Sequence, residues 1–235
     1  MPTSAPSTWT LEHIMAELES MGTAQNRKVY PRHGVQGPMF GVSYGNLEKL
    51  RKAIRKDQAL AEALWKTGNH DARVLATKIA DPKTITPATL DAWATDLDNY
   101  VLTDAFTALV GKTPHLREKF DAWRNSESEC LGQVAWGLVT TAASKSKPWD
   151  DAELGAFIDD IEAQIHGRQN RVRYSMNMAL IAIGGSREAL YENARAAAER
   201  IGTVEVDHGE TGCVTPDMVP YMEKMWARKR AKAKK

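Results

Sequence analysis

Apolar residues recur every three or four positions along most of this chain of 235 residues, and hardly any segment alternates as a β-strand does. Residues 90–97, 131–138 and 172–183 each carry apolar side chains at the spacing of an amphipathic helix. Only residues 203–206 alternate, and so short a segment cannot form a sheet by itself. The pattern therefore predicts an all-α fold of about twelve short helices.

Capping residues separate the predicted helices. Asp57, Thr86, Asp150 and Ser186 stand where N-caps are expected, and Thr86 is followed by a proline at the first helical position. Glycines occupy positions where helix C-caps belong, namely Gly22, Gly68, Gly167 and Gly202. Residues 24–42, rich in glycine and polar side chains, are the least assignable stretch. The short connections indicate that neighbouring helices pack antiparallel.

A loose internal period links four of the helices. Ala76, Ala105, Ala135 and Ala179 lie on their apolar faces at intervals of 29, 30 and 44 residues, the spacing of α-solenoid repeats such as HEAT units. A compact, non-repeating bundle is the alternative. The favoured interpretation is one α-solenoid (superhelix) domain of HEAT-like antiparallel helix pairs. Its predicted parts are an N-terminal helix with an irregular segment (1–42), the repeats (43–201), a C-terminal turn and helix (202–230) and a basic disordered tail (231–235).

The formal net charge is only +1, but the charges are unevenly distributed. Residues 27–56 hold eight Lys or Arg against one acid, and residues 224–235 hold seven and no acid. Residues 150–166 hold six acids and no Lys or Arg. Such asymmetry is typical of a polyanion-binding surface on a nearly neutral protein. The alternative is a solvated basic tail together with an acidic helix face.

Several classes of protein are excluded or disfavoured. No apolar run is long enough to cross a bilayer, and no secretory signal opens the chain, so we expect a cytoplasmic protein without a membrane partner. Two cysteines cannot build a disulfide framework. The Gly111-Lys112-Thr113 sequence fails as a phosphate loop because residue 106 is phenylalanine. His208, Glu210 and Cys213 lack further ligands at zinc spacing, so no metal and no cofactor is expected.

The helix faces opposite the apolar stripes are polar or aromatic. With Leu102, Phe106 and Leu109 buried, the helical period predicts that Tyr100, Asp104 and Thr107 share the opposite face. The same helical period predicts that further side chains on other helices point away from the core, namely Lys49, Lys52, Lys56, Gln133, Trp136, Tyr174 and Met178. In a solenoid these faces would line one groove, basic at its flanks, suited to a phosphate backbone. The alternative is that the aromatic residues pack against the next repeat.

Ordered motifs along residues 41–201 resemble those of the DNA alkylation repair proteins, the AlkD-like glycosylases. Phe40-Gly41-Val42 with residues 46–50 is similar to the family's opening motif, and residues 97–104 resemble its D-N-W-x-x-x-D segment. The other matching segments are Leu64-Trp65, residues 70–73, residues 80–82 and Arg171-Val172-Arg173 with Asn177. The resemblance implies an α-solenoid that holds DNA in its concave face and excises N3- or N7-alkylated purines.

The resemblance also assigns site residues. Asp104 matches the family aspartate, which stabilises the deoxyribose cation, and Tyr100 stands where the family often has tryptophan. Gln133 replaces an arginine and Met178 replaces a tryptophan of active relatives, while Trp136 is a possible substitute for the missing aromatic wall. Together with the basic residues, the predicted DNA-binding set comprises Tyr100, Gln133, Trp136, Tyr174, Met178, Lys49, Lys52, Lys56, Arg171, Arg173, Arg228, Lys229 and Arg230.

Three functions follow from these observations. The leading prediction is a monomeric DNA N-glycosylase that binds double-stranded DNA without sequence preference and removes cationic alkylpurines, with Asp104 as its catalytic residue. The second is a non-catalytic DNA-binding or repair-scaffold relative. The third is a HEAT-like protein-interaction module that does not bind DNA.

Overall fold

The structure, a computed structural model, describes residues 9–233 and contains thirteen α-helices and three short 3-10 helices. Within these residues the only β-structure is an isolated bridge between Gly22 and Val42, so the predicted all-α fold is confirmed. The chain divides into two compact units, the first ending at Pro114 and the second beginning at His115. None of the described helices has the length and hydropathy needed to cross a membrane.

The first unit contains seven helices, and α5 packs against α3, α4 and α7 at its centre. The helices are α1 Leu11–Met21, α2 Ala24–Val29, α3 Tyr44–Ile54, α4 Gln58–Lys66, α5 His70–Ile79, α6 Pro87–Ala94 and α7 Tyr100–Val110. A 3-10 helix, Tyr30–His33, follows α2 directly. Helix α2 and this 3-10 turn lie in the stretch that the sequence left unassigned.

The second unit contains six helices, and α11 packs against α9, α12 and α13. The helices are α8 Leu116–Trp123, α9 Glu129–Ala142, α10 Asp151–Gln164, α11 Asn170–Ser186, α12 Tyr191–Ile201 and α13 Met218–Ala233. Two 3-10 turns, Ile165–Gly167 and Glu188–Leu190, follow α10 and α11. Because α13 continues to Ala233, the prediction of a disordered tail is wrong for residues 231–233. Residues 234–235 lie outside the described part of the chain.

Side-chain caps explain where the helices of the first unit begin. Each of its seven helices follows a Thr, Ser, Asp or Asn whose side chain accepts a hydrogen bond from a backbone N–H of the first turn. The predicted caps Asp57 and Thr86 are among them. In the second unit Asp150 caps α10 and forms a capping box with Glu153, as its position indicated.

A buried carboxylate ties the segment before α3 to α5. Asp71 is fully buried, and its two oxygens accept hydrogen bonds from the backbone N–H groups of Phe40, Gly41 and Val42 at 2.7, 2.9 and 2.9 Å. Gly41 has a φ of 78° and lies too close to Arg27 to accept a Cβ atom, so this turn requires glycine. We call this arrangement the Asp71 clasp. It joins the Phe-Gly-Val and His-Asp motifs directly.

Candidate functional site

The exposed side of α7 carries the aspartate that the sequence singled out. Asp104 is exposed and Tyr100 is partly buried, whereas Leu102, Phe106 and Leu109 are in the core, as the helical period predicted. Thr107 is different, since its side chain is buried and its hydroxyl donates to the Thr103 carbonyl at 2.8 Å. The prediction that Thr107 shares the exposed face is therefore wrong.

A basic pocket lies beside this face. It has a volume of about 340 Å³, and its charged lining consists of Arg51, Lys56, Lys78 and Lys112 with one acid, Glu48. Ala105 and Ala108 of α7 form part of its wall, and these small side chains leave the helix surface accessible to a ligand. The basic pocket therefore gathers positive charge from α3, from α5 and from the residues that flank α7.

The lysines of the basic pocket repel one another. The Lys56 ammonium donates to the carbonyls of Lys78 and Ala80 at 3.0 and 2.7 Å, which leaves one of its three donors for a ligand. Burial lowers the pKa of Lys56, and the nearby charge of Lys112 lowers it further. Glu48 pairs with Arg51 through contacts of 2.8–2.9 Å, and it also interacts with the charge of Lys78. The charge of Asp81 offsets part of the repulsion at Lys56. An anion bound here would relieve the repulsion between Lys56 and Lys112.

A second pocket, the aromatic pocket, lies near the N-terminal end of α7. It has a volume of about 130 Å³ and is lined by Tyr30, His33, Tyr44 and His70 together with three valines. The Tyr30 hydroxyl donates to the Val42 carbonyl, and the rings of Tyr30 and His70 meet edge to face with centroids 5.9 Å apart. The Asp71 clasp holds the backbone of residues 40–42, so it also fixes the wall that Tyr30 forms.

Two uncharged tyrosine side chains line the aromatic pocket. Burial, followed by the charge of Asp71, raises the pKa of Tyr30 to about 12. Burial also raises the pKa of Tyr44, and the neighbouring groups that add to this effect include Asp104 and Tyr100. Tyr44 therefore lies close to the Asp104 carboxylate. Both tyrosines stay uncharged near neutral pH.

Helix α7 sets the distance between the two pockets. Val101 lines the aromatic pocket, and Ala105 and Ala108 line the basic pocket. These two alanines are four and seven residues after Val101, which corresponds to about 6 and about 10 Å along the axis of an α-helix. Asp104 lies between Val101 and these alanines on the same exposed side. A ligand that fills both pockets would therefore pass Asp104.

The structure separates the three lysines that were predicted to share one helix face, because α3 ends at Ile54 and Lys56 lies beyond it. Lys56 lines the basic pocket, whereas Lys49 and Lys52 are exposed on the surface of α3 and do not line it. The Lys49 ammonium donates to Asn46 Oδ1 at 3.1 Å. Lys49 and Lys52 stay predictions as phosphate contacts.

Trp136 is not at the surface of the second unit. It is 1% exposed and packs edge to face on Phe120 and Phe157, with ring centroids 5.7 and 6.3 Å away. The prediction that Trp136 faces away from the core, and could replace a missing aromatic wall, is wrong because α9 is buried on nearly all sides. Gln133, one turn earlier, is also buried, so the prediction that it faces away from the core is wrong as well.

The other predicted residues of the second unit remain partly exposed. Tyr174 contacts the His208 ring edge to face, with centroids 5.6 Å apart, and Met178 lies one turn further along α11. Burial, followed by the charge of Arg171, lowers the pKa of His208. The Arg173 Nε atom is buried and finds no hydrogen-bond partner among the described residues. Among residues 9–233 no group of three or more His, Cys, Asp or Glu could hold a metal ion.

The basic C-terminal end of α13 contacts the end of α11 through Trp226. Trp226 Nε1 donates to the Gly184 carbonyl at 2.8 Å. The Lys229 ammonium lies 4.2 Å from the centre of the Trp226 ring and donates to the Ser186 carbonyl at the end of α11. Lys229 therefore helps to hold α13, whereas Arg228 and Arg230 are exposed.

Sequence reasoning missed most of the residues that line the two pockets. Arg51, Lys78 and Lys112 of the basic pocket were not among the predicted site residues, and neither were Tyr44 and His70 of the aromatic pocket. One signal was present for Lys112, because it follows Asp104 and Ala108 at intervals of four residues and so continues their helix face.

Comparisons with known proteins agree with the fold. A family model described as DNA alkylation repair enzyme matches residues 14–201. Uncharacterised proteins from Listeria innocua and Listeria monocytogenes are each 26% identical, over 92% and 95% of this chain and 96% and 99% of theirs. A solved structure, from a family of proteins related to the HEAT-like repeat DNA glycosylases with affinity for branched DNA structures, is 27% identical. It has a TM-score of 0.86 and covers 94% of this chain and 96% of its own, so the predicted HEAT-like fold is confirmed.

Proposed function

The chain belongs to the DNA alkylation repair enzyme family, and we propose that it is a repair protein that binds duplex and branched DNA without sequence preference. The basic pocket beside α7 is the observation that carries this proposal. It places four cations against one acid around a cavity of about 340 Å³, and Lys56 and Lys112 are close enough to repel one another. Phosphate is the group that such a cluster binds most favourably.

Affinity for branched DNA is supported by the structural relative. That protein is described by its affinity for branched DNA structures, and its fold matches this chain over nearly the full length of both. In this chain the exposed side of α7 joins the basic pocket to the aromatic pocket. A branch point offers both a backbone and unpaired bases, whereas an intact duplex offers chiefly its backbone.

Replacing Lys78 and Lys112 together by alanine should weaken binding to a three-way DNA junction and to a linear duplex of equal length. Each lost phosphate contact should reduce the slope of log affinity against log salt by about 0.9. Fluorescence anisotropy titrations at several salt concentrations measure both quantities. Junction DNA should bind more tightly than the linear duplex to the wild-type protein at every salt concentration.

Lys66→Ala is the matched control, because Lys66 is exposed at the end of α4 and lines neither pocket. It should leave the affinity and the salt slope unchanged. An unaltered slope in the double variant would remove the basic pocket from the DNA-binding surface. No binding to either DNA by the wild-type protein would overturn the proposed function and favour the protein-interaction module.

Excision of cationic alkylpurines is the second candidate function, and the exposure of Asp104 between the two pockets favours it. A base alkylated at N3 or N7 is already cationic, so the C1′–N bond breaks with its electron pair going to the base. Water then attacks C1′, which gains a hydroxyl group, and a proton is released to solvent. A carboxylate about 4 Å from the sugar cation contributes roughly 4 kcal/mol at an effective dielectric near 20. That corresponds to about 10³ in rate.

Residues of the second unit make DNA binding the first candidate function and excision the second. Gln133 stands in the position where the family resemblance places an arginine, and it is buried. Met178 stands in the position of a tryptophan, and Trp136 cannot take over that role because it is in the core. Two of the aromatic and cationic groups that the resemblance implies for catalysis are thus replaced.

A further inference from the structure

We propose that the aromatic pocket of the first unit binds one unstacked pyrimidine base of the DNA, an inference that rests on the proposed DNA binding. Tyrosine and histidine rings form its walls, and valines fill the gaps between them. Aromatic walls are the surfaces on which single-stranded nucleic acid places its bases, because every base has a π-face. The pocket is therefore matched to a flat, heteroaromatic ring.

A buried histidine with an unsatisfied ring nitrogen lines this pocket. His70 is 5% exposed, and its Nδ1 atom has no hydrogen-bond partner among the described residues. Burial lowers the pKa of His70, so the ring is neutral near pH 7 and offers one donor and one acceptor. A buried nitrogen without a partner costs free energy, and an N–H or carbonyl group on the edge of a base would satisfy it after a shift of the pocket walls that exposes Nδ1.

The size of the pocket selects a single ring. Its volume is about 130 Å³. Cavities of about 150 Å³ accept one benzene ring, whereas sites for drug-sized ligands measure roughly 300–1,000 Å³. A pyrimidine is smaller than a purine, so it enters this space with the smaller displacement of the walls. Thymine and cytosine are therefore the expected occupants.

The position of the pocket on α7 connects the base to the backbone. Val101 of α7 lines the aromatic pocket, and Ala105, one turn later, lines the basic pocket. A DNA strand with one base against Val101 therefore places phosphates further along the strand near Lys112 and Lys56. Unstacking a base costs least where it is unpaired, so a base-binding pocket would favour branched over linear DNA.

Binding of hexanucleotides of equal charge to the full chain tests this inference. The probes are six thymidines, six deoxyadenosines and six abasic residues, each followed by fluorescence anisotropy at one salt concentration. The thymidine hexamer should bind about tenfold more tightly than the abasic hexamer, since stacking contributes roughly 1–3 kcal/mol per base. The adenine hexamer should bind more weakly than the thymidine hexamer.

Val101→Phe should fill the pocket and lower thymidine hexamer affinity to the abasic level, with abasic affinity unchanged. Tyr44→Ala should reduce the same preference by removing a wall that is 47% exposed, so it does not endanger the fold. Val214→Phe is the matched control, because it makes the same change at a valine that is 78% exposed in the second unit. It should bind all three probes as the wild type does.

Four outcomes would overturn the inference. Equal affinity of the wild type for thymidine and abasic hexamers, or unchanged preference in both pocket variants, would show that no base enters. Adenine binding as tight as thymidine binding would contradict the pyrimidine assignment. Displacement of the hexamer by micromolar free thymidine would assign the pocket to a nucleoside instead of DNA. In each case binding of junction DNA would persist, whereas its absence would contradict the proposed function itself.

Discussion

Replacing Asp71 by alanine should lower the free energy of unfolding by about 3–5 kcal/mol, because three backbone N–H groups would lose a charged acceptor. Asp71 is fully buried, and its contacts to Phe40, Gly41 and Val42 all lie between 2.7 and 2.9 Å. Asp71→Asn should cost less, since one oxygen remains to accept. The midpoint of urea unfolding, multiplied by its slope, measures the change.

The Asp71 clasp also predicts a functional effect. Because it fixes residues 40–42, to which Tyr30 is hydrogen-bonded, Asp71→Asn should reduce the preference for thymidine over abasic hexamers under conditions where the variant is still folded. Asp159→Ala, at an exposed aspartate of α10, is the control and should change stability by less than about 0.5 kcal/mol. A loss below 1 kcal/mol for Asp71→Ala would contradict the importance of the clasp.

The sequence predicted most helices because their signals are local. Caps such as Asp57, Thr86 and Asp150 start helices as expected, since the capping hydrogen bond joins residues three apart. Helix α2 was missed because it has only six residues and runs into a 3-10 turn that contains a proline. Such a short helix has no periodic pattern to detect.

The end of α11 shows how tertiary packing overrides a local signal. Ser186 was predicted to begin the next helix, but it is the last residue of α11. The helix continues through Gly184 and Gly185 because α13 lies directly against them. A Cβ atom would approach the sulfur of Met222 to 2.3 Å at Gly184 and that of Met225 to 2.5 Å at Gly185. These glycines serve close packing and do not end the helix.

The candidate site also has a part that local patterns predict and a part that depends on tertiary packing. Asp104 and the core side of α7 follow from helical period alone, so their placement was predictable. Trp136 was misplaced because its helix is surrounded by partners on several sides, and a periodic stripe does not reveal a second buried face. Each pocket combines residues from separate elements, such as Lys78 and Lys112 in the basic pocket and Tyr44 and His70 in the aromatic pocket. The formation of each pocket depends on how α3, α5 and α7 pack, which no local pattern encodes.

Under the second candidate function, Asp104→Asn should slow release of N7-methylguanine from DNA by about 10²–10³, the effect of losing one preorganised electrostatic group. Asparagine keeps the size of the side chain but removes the charge that would stabilise the sugar cation. Because Asp104 is exposed and outside the core, the fold and the affinity for DNA should not change. Single-turnover base release with enzyme in saturating excess measures the chemical step without a contribution from binding.

Asp121→Asn provides the control, because it removes an exposed carboxylate of α8 in the second unit and should leave base release unchanged. The Lys78 and Lys112 variant should lower affinity yet release base at the wild-type rate once it is saturated with DNA. Equal rates for the wild type and Asp104→Asn would contradict the role of Asp104. No release by the wild type would eliminate excision and leave DNA binding intact, because affinity and salt slope are measured independently of chemistry.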